Sequence, residues 1–272
     1  MRRRFFHSVL VLLLLVFFSV TMEWGIRERS EASVLSEYAC EEMKFREQYM
    51  PEDVFQEISE EKNMWEVFTA TMLKGDFYPE QLNRESGVYK KYKKEEFYKL
   101  CNIYESIWGD VKYFPLPENR ESFQKQFVYE DTFGEERTYG GERIHEGTDI
   151  FGARNLAGYY PVLSMTDGIV EKVGWLPLGG YRIGVRAPGG AYFYYAHLSE
   201  YEKNFSAGDR VKAGEILGYM GNSGYGEVGT TGKFPVHLHL GIYIQPPHDK
   251  ELSVNPYWIL KAYEKNIRKY TY

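Results

Sequence analysis

Four of the six histidines, His145, His197, His237 and His239, fall in the C-terminal half, on segments that read as strands or turns. His237-Leu238-His239 is the sharpest feature. Residues two apart on a strand share a face, so both imidazoles point one way while Leu238, Leu240 and Ile242 point the other. Such a pair sets one ring on a metal ion and the next ring within reach of water bound to that ion. Two surface histidines on a half-exposed strand would be the bland alternative. The apolar flanks and Pro235, which introduces the strand sharply, oppose it. His145-Glu146-Gly147-Thr148-Asp149 is the second feature. Its spacing mimics the helical H-E-x-x-H zinc motif with the last ligand exchanged for Asp. Gly147 is a poor mid-helix residue, Thr148 and Ile150 are β-branched, and Gly140, Gly141 and Gly152 surround the segment, so a loop or strand end is expected. A histidine and a carboxylate four residues apart still converge on one ion across a tight turn. Two His, one Asp and a water form an open, catalytic metal site, whereas closed structural sites usually recruit cysteine. Cys40 and Cys101 are the only cysteines and neither has ligand spacing. His197 ends the alternating run Tyr194-Tyr195-Ala196-His197-Leu198-Ser199 and is ambiguous by itself.

The elements that must position these residues change character along the chain. Between residues 27 and 112, apolar residues return at three- and four-residue steps, as in Val54, Phe55, Ile58, Trp65, Phe68, Met72 and Leu73. Pro51 stands near one helix start, Gly75 and Pro79 close a second helix, and a third runs from Lys94 through Trp108 to Gly109-Asp110. The carboxylates there interleave with Lys and Arg as on a solvated face, and no pair stands out for acid–base chemistry. The expectation is a small helical module for docking or spacing. Pro115 and Pro117 punctuate a connection. From about residue 136, short β-rich runs alternate with turn signals, among them 168–173, 181–185, 191–197 and 236–244, with Pro188-Gly189-Gly190 as a hairpin turn. These runs predict antiparallel sheets without crossover helices.

The N-terminus is basic at Arg2, Arg3 and Arg4, then almost wholly apolar from Phe5 to Met22, about long enough to cross a bilayer. The flanking charges orient it with its start in the cytoplasm. A cleaved signal peptide competes with an uncleaved anchor, but no clear A-x-A site follows the apolar run. Both readings place the remainder outside the cytoplasm. Removing Arg2, Arg3, Arg4 and Glu23 from the 33 basic and 39 acidic residues leaves a charge of about −8. Bulk charge thus argues against nucleic acid and anionic wall polymers as partners. In an oxidising compartment Cys40 and Cys101 either pair or remain separate buried thiols.

Taken in order, the motifs resemble the M23 (lysostaphin/LytM-type) family of zinc metallopeptidases, which cut peptide bonds in bacterial cell-wall peptidoglycan. The family pattern H-x(3)-D, then Y-x-H, then H-x-H reads here as His145 to Asp149, Tyr195-Ala196-His197 and His237-Leu238-His239. The glycine-rich stretches 167–170, 208–214 and 218–224 match in kind, and the resemblance covers roughly residues 136–260. It implies Zn2+ held by His145, Asp149 and His239, with His197 and His237 handling protons beside it. Tyr139, six residues before His145, is the candidate oxyanion stabiliser. Activity is then expected to fall below about pH 6, where ordinary imidazoles protonate. The stretch 225–235 is longer than in compact members, which places it to shape the substrate groove. The implied fold class is a mainly β catalytic domain of lysostaphin-like antiparallel sheets, preceded by a small α-helical region and an N-terminal transmembrane helix. The expected boundaries are a cytoplasmic tail 1–4, a transmembrane signal anchor 5–26, a helical module 27–112, a linker 113–135, a peptidase domain 136–262 and a C-terminal tail 263–272. The expected function is a metalloendopeptidase acting on peptidoglycan. The alternative is a catalytically inactive scaffold or activator of another wall hydrolase.

Overall fold

The computed structural model describes residues 2–121, 127–138, 140–246 and 251–272, with side chains from residue 6 onward. Seven α-helices are described: α1 (Arg2–Ala32), α2 (Met43–Arg46), α3 (Glu52–Ser59), α4 (Met64–Lys74), α5 (Gly87–Tyr92), α6 (Lys94–Tyr104) and α7 (Tyr257–Tyr263). Pro51 precedes α3, and Glu52 and Asp53 in its first turn complement the partial positive charge of a helix N-terminus. The helix buries Val54, Phe55 and Ile58, each such side chain stabilising the fold by roughly 1.5–3 kcal/mol when fully removed from water. Helix α4 stops at Gly75, where a Cβ would stand 2.7 Å from the Pro79 backbone. Helix α6 buries Phe97, Leu100, Cys101 and Tyr104 and continues as a π-turn, Glu105–Gly109. That turn seats Trp108 in the core, where its indole N–H donates to Gln48 Oε1 at 2.8 Å. Cys40 and Cys101 are both buried free thiols, and burial pushes each up to about 11.

The strands are β1 (Glu118–Asn119), β2 (Phe127–Tyr129), β3 (Glu136–Arg137), β4 (Arg143–Ile144), β5 (Thr148–Gly152), β6 (Pro161–Leu163), β7 (Gly168–Leu176), β8 (Gly180–Arg186), β9 (Tyr192–Tyr201), β10 (Arg210–Val211), β11 (Ile216–Met220), β12 (His237–Ile244), β13 (Leu252–Val254) and β14 (Lys269–Tyr270). The main sheet runs β10-β7-β8-β9-β12-β5-β2, with β13 on β12 and β11 joined to β9 and β6. Every pairing within it is antiparallel. The fold is the mostly antiparallel, lysostaphin-like β architecture that the sequence predicts, with a small helical region ahead of it.

Alternation along the strands sets two faces. Leu238, Leu240, Ile242, Phe193, Tyr195, Ile183 and Val185 are buried on one face. On the other face His237, His239, Tyr192 and Tyr194 line an open cavity of about 650 Å³. Gly184 belongs to this second face, and a Cβ there would overlap the ring and hydroxyl of Tyr192. The missing side chain lets that ring lie flat across the sheet.

The helical region and the sheet share one continuous core. Arg46 donates from Nη2 to Ser253 Oγ at 2.7 Å and from Nε to the Ser253 carbonyl at 2.9 Å. The Asn255 amide donates to the Arg46 carbonyl at 2.7 Å. Phe55 of α3 packs on Tyr263 of α7 with ring centroids 5.9 Å apart. Strand β2, in the stretch expected as a linker, pairs Phe127 to Tyr129 with β5. Strand β1 runs parallel to β14 of the C-terminal stretch. Among the described residues one helix, at the N-terminus, is long and apolar enough to cross a membrane, and its apolar window is fully exposed. Its last turns leave that apolar run and meet the helical region. Glu28 pairs with Lys91 at 2.6 Å, and Glu31 with Lys74 at 2.9 Å.

Candidate active site

Asp149 sits near the start of β5, and the antiparallel register sets it directly opposite His239 of β12. His145 arrives from the loop between β4 and β5. Gly147 makes that approach possible, because a Cβ at this position would lie 2.8 Å from His239 Nε2 and collide with the Leu240 carbonyl. His145 Nε2, Asp149 Oδ1 and His239 Nδ1 converge. The separations are 3.2 Å from His145 to Asp149, 3.2 Å from His145 to His239, and 2.9 Å from His239 to Asp149. Ligands about 2.0–2.1 Å from a tetrahedral zinc ion stand roughly 3.3 Å apart, so this donor set has the spacing that such an ion requires. Its chemistry also fits, with two imidazole nitrogens and one carboxylate that are together able to hold a metal ion.

The surroundings orient these donors. The His145 Nδ1–H donates to the Thr132 carbonyl at 3.0 Å, which turns the Nε2 lone pair inward. Arg137 Nη2 lies 3.0 Å from the same His145 Nδ1 and donates to Asp149 Oδ2 at 3.3 Å, leaving Oδ1 to the cluster. Burial by itself would raise the Asp149 carboxyl. The imidazoles of His145, His239 and His237 around it hold it well below the usual carboxylate range.

His197 and His237 flank this group with ring centroids 4.8 Å apart. His237 donates from Nδ1 to the Pro235 carbonyl at 2.9 Å, and its Nε2 stands 3.7 Å from Asp149 Oδ1. His197 donates from Nδ1 to the Ser223 carbonyl at 2.8 Å. Each neutral ring thus keeps an Nε2 lone pair for the cavity. Burial pushes His197 down to about 3, with the nearby His237 and His239 adding to the effect, and burial also lowers His237. Burial thus favours the neutral form of both imidazoles, most strongly that of His197.

His197 reaches the cavity by an irregularity. Strict alternation would put it on the core face with Tyr195. Between the pairs Tyr181–Leu198 and Ile183–Tyr195 the strands lose register, so Ala196 and His197 together oppose Arg182. His197 takes φ 62°, a left-handed conformation uncommon outside glycine. The β-bulge turns its ring onto the face of His239. Phe234 and Tyr225, from the long stretch 225–235, pack against the His197 ring at 4.6 Å and 6.1 Å.

The structure therefore brings together His145, Asp149, His197, His237 and His239. Tyr139 lies outside the described residues. Reading by spacing missed Thr132, Arg137 and Ser223. Each acts through hydrogen bonds formed by distant segments, which leave no periodic mark in the sequence.

Comparison with known proteins agrees with this site. The model for peptidase family M23 matches residues 143–256, which hold all five of these residues. An L-Ala–D-Glu endopeptidase of Bacillus subtilis (strain 168) is 37% identical over 216 residues, covering 77% of this chain and 63% of that protein. The chain thus spans just under two thirds of that relative's length. Lysostaphin of Staphylococcus simulans is 40% identical over 67 residues, covering 24% of this chain and 13% of that protein. The crystal structure of a LytM protein from Ruminococcus gnavus superposes with a TM-score of 0.78 at 42% identity, over 89% of this chain and 98% of that one. With that structural relative matched nearly end to end, helical region included, the chain belongs to peptidase family M23.

Proposed function

We propose that this chain is a zinc-dependent endopeptidase that hydrolyses peptide bonds in bacterial cell-wall peptidoglycan. One observation carries the reading: three metal-type donors converge beside two buried, neutral imidazoles at one cavity. His145, Asp149 and His239 are the residues that would hold zinc. When bound, the ion supplies Lewis-acid polarisation and makes water a stronger nucleophile near neutral pH. The remaining work falls to the protein. His237 and His197 present Nε2 lone pairs, accept the proton of the attacking water, and return a proton to the leaving amine. Their Nδ1 bonds to Pro235 and Ser223 fix the tautomer that makes this transfer possible. Arg137 orients Asp149 through its hydrogen bond to Oδ2. Tyr139 is retained as an oxyanion donor on resemblance alone.

An L-Ala–D-Glu linkage is the bond we assign, on the similarity to the Bacillus subtilis enzyme. For α1 we favour a membrane anchor over a cleaved leader, leaving the catalytic domain extracytoplasmic. The Glu28 and Glu31 ion pairs tie the end of this helix to the helical region and would be lost on cleavage beyond them. The decisive experiment is digestion of purified peptidoglycan by the zinc-loaded protein, with mass spectrometry of the fragments. New L-Ala carboxyl and D-Glu amino termini are expected. Intact peptidoglycan would favour a non-enzymatic scaffold, and fragments with other termini would reassign the bond.

A further inference from the structure

The cavity extends beyond the histidines over a floor of Tyr192, Tyr194 and Tyr243 toward β7 and β8. On that flank stand two cations, Arg182 and Lys172. Arg186 lies on the same strand, four residues on, and shows how a cation is usually settled here. It holds Glu171 at 2.6 Å and Glu251 at 3.1 Å. Arg182 has no such partner. Among the described residues no carboxylate pairs with Arg182 or Lys172, and Arg182 Nη1 is buried with no hydrogen bond at all. A charged donor left buried and unmatched is costly, and an anion bound beside this guanidinium would offset that cost electrostatically. The cavity's other cations are engaged, Arg137 at Asp149 and Arg143 at the Tyr225 hydroxyl.

Register sets the distance. Arg182 faces the Ala196–His197 bulge of β9, Ala196 faces His239 of β12, and His239 faces Asp149 of β5. Two strand spacings, about 10 Å of backbone, separate Arg182 from His239. The arginine side chain spans part of that gap, and one or two substrate residues at roughly 3.3 Å each span the rest. Whatever Arg182 holds therefore lies next to the scissile bond. The neighbouring Glu251 is taken by Arg186, and Glu146 acts electrostatically on Tyr243.

We infer that Arg182, assisted by Lys172, is a specificity subsite for a free carboxylate on the substrate residue flanking the scissile bond. Guanidinium is suited to it, since it offers paired N–H donors to both carboxylate oxygens. The inference rests on the proposed peptidase function and narrows its substrate. A glutamyl residue that continues a chain through one carboxyl leaves its other carboxyl free, which matches this demand.

Two synthetic peptides test it, each with L-Ala joined to a D-glutamyl residue that continues to Lys through its γ-carboxyl. One carries the free α-carboxylate and the other its carboxamide. The zinc-loaded full chain should cleave the acid at least about ten-fold better in kcat/KM, the discrimination expected of a charge-assisted pair. In Arg182→Gln that ratio should collapse to within about two-fold, and Arg182→Lys should keep part of it. Calorimetric titration of the same peptides into His237→Ala protein should show the same preference in Kd, independent of turnover. Equal handling of acid and amide by the wild type, or an unchanged ratio in Arg182→Gln, overturns the subsite while leaving the peptidase reading intact. Absence of any cleavage, of peptides or of peptidoglycan, defeats the peptidase reading, and the titration then still decides the subsite.

Discussion

The four clustered histidines divide into two groups, and their difference lies in where the inward ring nitrogen of each points, at a shared centre with Asp149 or beside it. His145, Asp149 and His239 turn three donor atoms on one point, 2.9–3.2 Å from each other. His197 and His237 stand just outside it, each tied by Nδ1 to a backbone carbonyl and each with Nε2 left over. The first arrangement concentrates lone pairs on one point, which favours a positive charge there. The second is stable without one, and burial keeps it neutral. Imidazole identity says nothing of this division, which strand register and the bulge at His197 create.

The contrast can be broken most decisively at the first group. Asp149→Ala or His145→Ala should abolish zinc retention and hydrolysis together, read by elemental analysis and peptide cleavage, and a chelator should reproduce the loss in the wild type until zinc is restored. Next in size, His237→Ala should lower kcat by about 10²–10⁴-fold, the usual worth of a general acid–base group, with stoichiometric zinc retained. If the metal left with it, His237 would belong to the first group.

A smaller effect concerns Ser223. Its hydroxyl donates to the Leu198 carbonyl at 2.6 Å and accepts from the Tyr181 amide at 2.9 Å, bracing the carbonyl that orients His197. Ser223→Ala should cost roughly 1–3 kcal/mol in chemical denaturation, by leaving buried groups unmatched. It should also depress kcat more than zinc binding.

Acid titration sharpens the comparison most gently. Because folding lowers the pKa of His197 and His237, the unfolded chain binds more protons than the native one below about pH 6.5. Stability from these rings is complete above that pH and is lost as the pH falls from there toward about 3, the folded value of His197. Denaturant midpoints measured across this range should fall with pH, and His197→Gln should flatten the slope. An unchanged slope would mean that His197 is not buried neutral.

Much of the fold was legible in the residues. Helix starts near Pro51 and stops at Gly75 follow from backbone chemistry that any neighbouring chain would leave unchanged. Strand alternation around Leu238, Leu240 and Ile242 foretold a buried face and a histidine face, because side chains repeat every two residues whatever the partner strand. Residues 113–135 were harder. Short β1 and β2 carry too few residues for a periodic signal, and their partners, β14 and β5, are known only once the chain has folded.

The sequence by itself determined that two imidazoles would share one face of a strand and that a histidine and a carboxylate would meet across a glycine turn. Those are local consequences of the strand repeat and of Gly147, where a Cβ would strike His239. Tertiary structure decided the rest. Register placed Asp149 opposite His239, and a bulge at φ 62° turned His197 out of the core. Carbonyls from Thr132, Ser223 and Pro235 chose which nitrogen of each ring faces the cavity. Contacts between segments far apart in the chain depend on how sheets pair, and no spacing within one strand encodes that.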